Sequence, residues 1–154
     1  MNSIHEICKK YDITNYVINP DGSIDVNGDV DLYNCNITEL PLRFNKVTSW
    51  FDCGYNNLTS LKGSPRWVGG YFSCNKNQLT SLEFSPDYVG DKFNCLYNKL
   101  TDNYCDTEIE YYFFTSFKQD GMILTESNRV TNYNEWRKLY KRKQTLNELY
   151  TRNM

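Results

Sequence analysis

The chain holds a single histidine, His5, and lacks the spacings that mark a catalytic or metal-binding apparatus. There is no glycine loop to cradle a phosphate, no Cys-x-x-Cys pair and no calcium-loop pattern. A nucleophilic role for Cys105 would need a base, and nothing in the sequence positions one beside it. No catalytic residue, metal or cofactor is therefore expected. The sequence also lacks a run of about 20 apolar residues able to cross a bilayer. His5, Glu6, Lys9 and Lys10 interrupt the stretch where a secretory signal would be apolar. These absences predict a soluble, cytoplasmic protein with no membrane partner. Aromatic residues are plentiful, with thirteen tyrosines and eight phenylalanines in 154 residues, enough for one domain with a real core.

What the chain does have is a repeat. Phe51-Asp-Cys53 leads to Asn56-Asn57-Leu58-Thr59-Ser60-Leu61, and Phe72-Ser-Cys74 leads to Asn77-Gln78-Leu79-Thr80-Ser81-Leu82. Phe93-Asn-Cys95 leads likewise to Asn98-Lys99-Leu100-Thr101, each copy 21 residues after the last. A degenerate earlier copy aligns Val30 with Phe51, Leu32 with Cys53, Cys35 with Asn56 and Ile37 with Leu58. A fixed period of this size predicts stacked coils, each burying the apolar face of its neighbour. Coils should start near Asp29, Trp50, Tyr71 and Lys92, the last one incomplete. Cys53, Cys74 and Cys95 then form an inward ladder of small hydrophobes, a geometry that suits free thiols in a reducing compartment. The recurring asparagine has a physical role, because its amide can satisfy backbone groups left open where the chain leaves the strand.

A short strand, an asparagine and then a leucine resemble the leucine-rich-repeat pattern. The fuller phrases, from Asp21 to Leu32, Leu40-Pro with Phe44-Asn-Lys-Val47, and Leu-Thr-Ser-Leu with Pro65-x-x-Val-Gly-Gly70, resemble leucine-rich-repeat-like proteins of tailed bacteriophages and some bacteria. The resemblance covers roughly Val17 to Thr101. It implies an α/β repeat: a short solenoid with a parallel β-sheet, an N-terminal helix and hairpin cap, and an α/β C-terminal extension. It further implies a phage or prophage accessory protein. One departure is that Thr48, Gly69 and Gly90 stand where a leucine is expected, with valine one position earlier taking over the packing. The Pro-x-x-Val-Gly-Gly ending reads as a turn on the convex side.

Three regions follow. In residues 1–28, Ser3-Ile-His-Glu6 has capping-box spacing, and Ile4, Ile7, Cys8 and Tyr11 share a helical face. Pro20-Asp21-Gly22 between two β-prone runs predicts a hairpin. Residues 29–104 hold the coils. In residues 105–154, Glu110–Phe117 reads as an aromatic strand turning at Gln119-Asp120-Gly121 toward Met122–Thr125, and a helix should run from Asn132 to about Tyr150. Trp136, Leu139, Tyr140, Leu146, Leu149 and Tyr150 would share its apolar side, with Arg137, Lys138, Lys141, Arg142 and Arg152 opposite. Charge is polarised: from Arg129 onward there are seven Lys or Arg against two Glu, while the rest holds ten basic and seventeen acidic residues.

Between the buried strand positions lie outward ones, which the period arranges in columns. Asp29, Trp50, Tyr71 and Lys92 form the first, and Asp31, Asp52, Ser73 and Asn94 the second. Tyr33 belongs to a third, and Asn34, Tyr55, Lys76 and Tyr97 form a fourth. Exposed Trp and Tyr in a polar surround are the commonest anchors of protein interfaces. Asp29, Asp31 and Asp52, with Asp25 nearby, suit a basic partner. The expected function is stoichiometric binding of another protein. Joined to the resemblance, this becomes a phage-encoded modulator or inhibitor of a bacterial host defence protein, acting by occlusion. A nucleic-acid partner held by Arg137, Lys138, Lys141 and Arg142 is the alternative, and self-assembly through the unfinished edge near Leu100 a third.

Overall fold

The computed structural model describes residues 3–100, strands at 122–124 and 130–132, and the helical residues 134, 137, 138, 141, 145, 148, 149, 151 and 152. The chain opens with helix α1 (Ile4–Lys10), capped by Ser3. Its hydroxyl accepts the Glu6 N–H at 3.2 Å while the Glu6 carboxylate accepts the Ser3 N–H at 2.7 Å, the reciprocal arrangement that Ser-x-x-Glu predicts. Cys8 is buried, and Ile4, Ile7 and Tyr11 pack against the core. Strands β1 (Tyr16–Ile18) and β2 (Ile24–Val26) then form the expected antiparallel hairpin, with Gly22 at φ 80° in its turn.

From β2 the chain winds. Strands β3 (Val30–Asp31), β5 (Phe51–Asp52), β7 (Phe72–Ser73) and β9 (Phe93–Asn94) stack in that order as a parallel sheet. Their register pairs Val30 with Phe51, Phe51 with Phe72 and Phe72 with Phe93, so the 21-residue period is also the structural step. On the opposite wall, β4 (Phe44–Val47), β6 (Trp67–Val68) and β8 (Tyr88–Val89) continue from β2 as a second parallel ladder, with β1 as its antiparallel edge. The result is a small β-solenoid of three complete turns between the four strands of the first sheet.

The second sheet corrects one expectation. Pro65-x-x-Val-Gly-Gly70 is a strand followed by a turn, because Trp67 and Val68 pair with Lys46 and Val47 before the glycines. Gly69 is there for close approach: a Cβ at this position would lie 2.2 Å from the Thr48 carbonyl oxygen. Valine does take the packing role, since Val47, Val68 and Val89 are all buried. Between the walls, Phe51, Phe72 and Phe93 stack at 5.5 and 5.3 Å. Leu58, Leu61, Leu79 and Leu82 fill one side, and the buried Cys53, Cys74 and Cys95 are thiols rather than disulfides. Burying each such large side chain contributes about 1.5–3 kcal/mol.

The repeated asparagines stitch the coils together. Asn77 Nδ2 donates to the Cys53 carbonyl at 2.9 Å and to the Cys74 carbonyl at 3.1 Å, while its Oδ1 accepts the Leu58 N–H at 2.9 Å. Asn56 does the same for Leu32, Cys53 and Ile37, and Asn98 for Cys74, Cys95 and Leu79. One side chain thus satisfies groups in its own coil and in the coil before.

At the far end, β10 (Met122–Leu124) and β11 (Val130–Asn132) form an antiparallel pair. Asn132, the expected helix start, belongs to β11, and the first described helical residue is Asn134. Its carboxamide exchanges two 2.9 Å hydrogen bonds with the N–H and C=O of Val89. The expected strand over Glu110–Phe117, its turn, Cys105, Arg142 and the stripe residues Trp136, Leu139, Tyr140, Leu146 and Tyr150 lie outside the described residues.

Asn77→Ala should leave the buried Leu58 N–H without its acceptor, while the Cys53 and Cys74 carbonyls keep Asn56 and Asn98 as donors. A loss of about 1–3 kcal/mol, the cost of one buried group left unsatisfied, is expected from urea denaturation. Asn57→Ala, which removes an exposed amide bonded to Asn36, should leave the midpoint almost unchanged, and equal losses from the two would contradict the ladder's role.

Candidate functional site

Because the step between coils is constant, outward residues of the β3-β5-β7-β9 sheet fall in columns as the period predicts. In the first, the Trp50 and Tyr71 rings stack at 5.4 Å and 2°. Expected to be exposed, both are half-buried, since each covers a face of the other. Asp29 and Lys92 are exposed at opposite ends of this column.

The second column is partly architectural. Asp31 accepts the Tyr33 N–H at 3.0 Å, Asp52 the Gly54 N–H at 2.8 Å, and Asn94 the Leu96 N–H at 3.2 Å, each fixing the turn that leaves the strand. Burial raises the Asp52 carboxyl pKa, and the Asp31 carboxylate adds to the rise, while the Gly54 N–H opposes it. Burial also raises the Tyr71 phenol, with the Asp52, Asp31 and Asp29 carboxylates adding to it. Asp25 is not part of this cluster. It sits on β2 in the opposite wall, where Asn19 and Asn45 donate to its Oδ1 at 3.1 and 2.7 Å.

The fourth column is conformationally distinctive. Asn34, Tyr55, Lys76 and Tyr97 all adopt left-handed backbone, with φ of 53°, 54°, 51° and 57°. The kink swings the chain off the strand in every coil and, at Tyr55, Lys76 and Tyr97, turns the following asparagine inward, whereas Cys35 after Asn34 is exposed. Asparagine tolerates the region; tyrosine and lysine do so poorly. Yet Tyr55 and Tyr97 are 40% and 72% exposed, so the core does not demand them. Their side chains hold one another. Lys76 Nζ donates to Tyr55 Oη at 2.5 Å and lies 4.2 and 5.4 Å from the Tyr55 and Tyr97 ring centroids. Tyr33, from the third column, packs on Tyr55 at 4.8 Å. The lysine bond lowers the Tyr55 pKa and raises that of Lys76.

Two further features escaped sequence reasoning. On the other wall, Lys46 lies 4.8 Å over Trp67, which stacks on Tyr88 at 5.4 Å. The same 21-residue step, read one position before Val47, Val68 and Val89, would have found this column. Second, Arg137 is not on a solvated basic face: it is 6% exposed. Its Nη2 donates to the Ser85 carbonyl at 2.8 Å and its Nε lies 3.8 Å from Asp87. Lys141 also pairs with Asp87, as does Arg66 at 3.7 Å. Lys138 and Lys141 are exposed, so buried Arg137 does not share an open surface with them.

Burial raises the pKa of Cys53 and Cys74 well above an ordinary thiol and that of Cys95 to about 12. His5 Nδ1 meets the Tyr16 hydroxyl at 2.5 Å on an exposed helix. Among the described residues no group of three His, Cys, Asp or Glu could hold a metal ion, and no helix is long and apolar enough to cross a membrane. Comparison with protein-family models, curated proteins and solved structures finds no match to this chain.

Asp52 has a testable signature. A carboxyl whose folded pKa is raised binds protons more tightly folded than unfolded, so stability falls as pH rises from the ordinary value near 3.8 through the folded pKa. Asp52→Asn keeps an acceptor for Gly54 and should be more stable than the parent at pH 7. Its urea midpoint should also lose part of the decline seen between pH 4 and pH 7.

Proposed function

We propose that this chain is a non-enzymatic protein-binding module whose aromatic columns on the β3-β5-β7-β9 face dock a partner protein. The observation that carries the reading is the residue choice at the left-handed position. Three of its four occupants are poor choices for the backbone, are exposed, and form one ridge of two phenol rings around an ammonium group. Backbone strain retained without benefit to the core belongs with function. Beside the ridge, the Trp50–Tyr71 stack supplies a flat, pre-ordered anchor, and Asp29, Asp31 and Asp52 bias the approach toward a basic surface.

The resemblance to phage leucine-rich-repeat-like proteins narrows the partner. On that reading the chain is a phage-encoded modulator of a bacterial host protein in the host cytoplasm, inhibiting a defence factor by occlusion. Burial of Arg137 weighs against nucleic acid as the primary partner.

The double variant Tyr55→Asn/Tyr97→Asn separates fold from function. Relief of the left-handed strain should raise its urea midpoint, whereas capture of a bacterial protein by the tagged chain should be lost. Capture from nuclease-treated lysate, undiminished in the variant, would remove the ridge from the binding face. Recovery of nucleic acid alone would overturn the protein-binding reading.

A further inference from the structure

We infer that the same outer face also docks a second copy of this chain in a two-fold dimer; this rests on reading the face as a protein-binding surface and commits to one occupant. The column Asp29, Trp50, Tyr71, Lys92 begins with an exposed acid, ends with an exposed base and carries two stacked rings between. Place a two-fold axis between two facing sheets, parallel to the strands and midway between β5 and β7. It reverses the order of coils while keeping each column over itself. Asp29 then meets Lys92 of the second copy, and Trp50 meets Tyr71, each contact occurring twice.

The other columns obey the same reversal. Asp31 falls opposite Asn94 and Asp52 opposite Ser73, so no carboxylate of these two columns faces another across the axis. Tyr55 falls opposite Lys76, repeating between chains a pairing that each already makes within itself. Opposite charges aligned, like charges kept apart and rings over rings are what a self-complementary surface requires.

Size sets the strength. Three strand spacings of about 4.8 Å by six residues at about 3.3 Å each give a face of about 15 by 20 Å, roughly 300 Å², well short of the roughly 800 Å² per partner of a stable complex. The dimer is therefore weak and in exchange. It shelters the aromatic column in the free protein and yields to any partner that binds the face more tightly.

Sedimentation velocity between about 10 μM and about 1 mM, the range of weak interfaces, should show the mean mass climbing toward that of a dimer, less steeply at high salt. Lys92→Asp sets Asp29 against a carboxylate and should weaken association at least about tenfold, as should Asp29→Lys. The exchanged pair, Asp29→Lys with Lys92→Asp, should restore it. A chain monomeric throughout, or a folded exchanged pair that fails to recover association, would overturn the dimer. If such a monomer still captures a bacterial protein through Trp50 and Tyr71, only the second-copy assignment falls. If Trp50→Ala/Tyr71→Ala leaves both association and capture intact, the face itself is wrongly assigned.

Discussion

One carboxamide per turn, buried at Asn56 and Asn77 and half-buried at Asn98, binds carbonyls from two successive coils and returns an oxygen to an amide of the earlier one. Because a buried amide must find the same partners in each coil, the length of the coil is not free to drift. A one-residue insertion would move the carboxamide away from three waiting backbone groups and turn the adjoining strand's side chains to the wrong side. The constant step seen in the phenylalanine stack, the cysteine ladder and the valine column follows from that constraint. So do the outer columns, since residues held in register inside are held in register outside. The surface is ordered because the interior has no alternative spacing.

The left-handed kink belongs to the same machinery. A left-handed reversal stands just before each of the three asparagines, and the first coil makes the same reversal before Cys35. Where the reversing residue is Asn34, backbone and side chain agree. At Tyr55, Lys76 and Tyr97 they disagree, and the side chains gain contacts with one another and with Tyr33 in return. Consistency across levels is the rule in well-folded sequences, and its local failure on an exposed face marks that face out.

Much of this was legible in the residues. The period, the inward cysteines, the bonding role of the asparagine, the capping box and the hairpin each rest on local spacing, and each appears as read. The second wall was not legible, because β6 and β8 are two residues long and show no alternation, while adjacent glycines signal a turn. Asp25 misled by nearness: four residues from Asp29 in sequence, it is placed by the hairpin on the opposite wall. Arg137 misled by type, since a helix cation is ordinarily solvated. Its burial depends on Ser85 and Asp87, about fifty positions away, which no local pattern reveals. The columns of the candidate site were readable in membership but not in burial, because stacking between coils half-covers Trp50 and Tyr71.

The pairing of Asn134 with Val89 bears on how far such a column could grow. A carboxamide carries the same donor and acceptor as a peptide unit, so this one side chain occupies the place that a further strand would take beside β8. At the other end of that wall, β1 runs against the direction of β2, so an incoming coil would meet a strand of the wrong polarity. One terminus is closed by a counterfeit peptide and the other by a reversed strand. Fibre growth, the standing hazard of any stack of identical β-coils, is thus checked at both ends of this wall by hydrogen-bond pattern rather than by bulk.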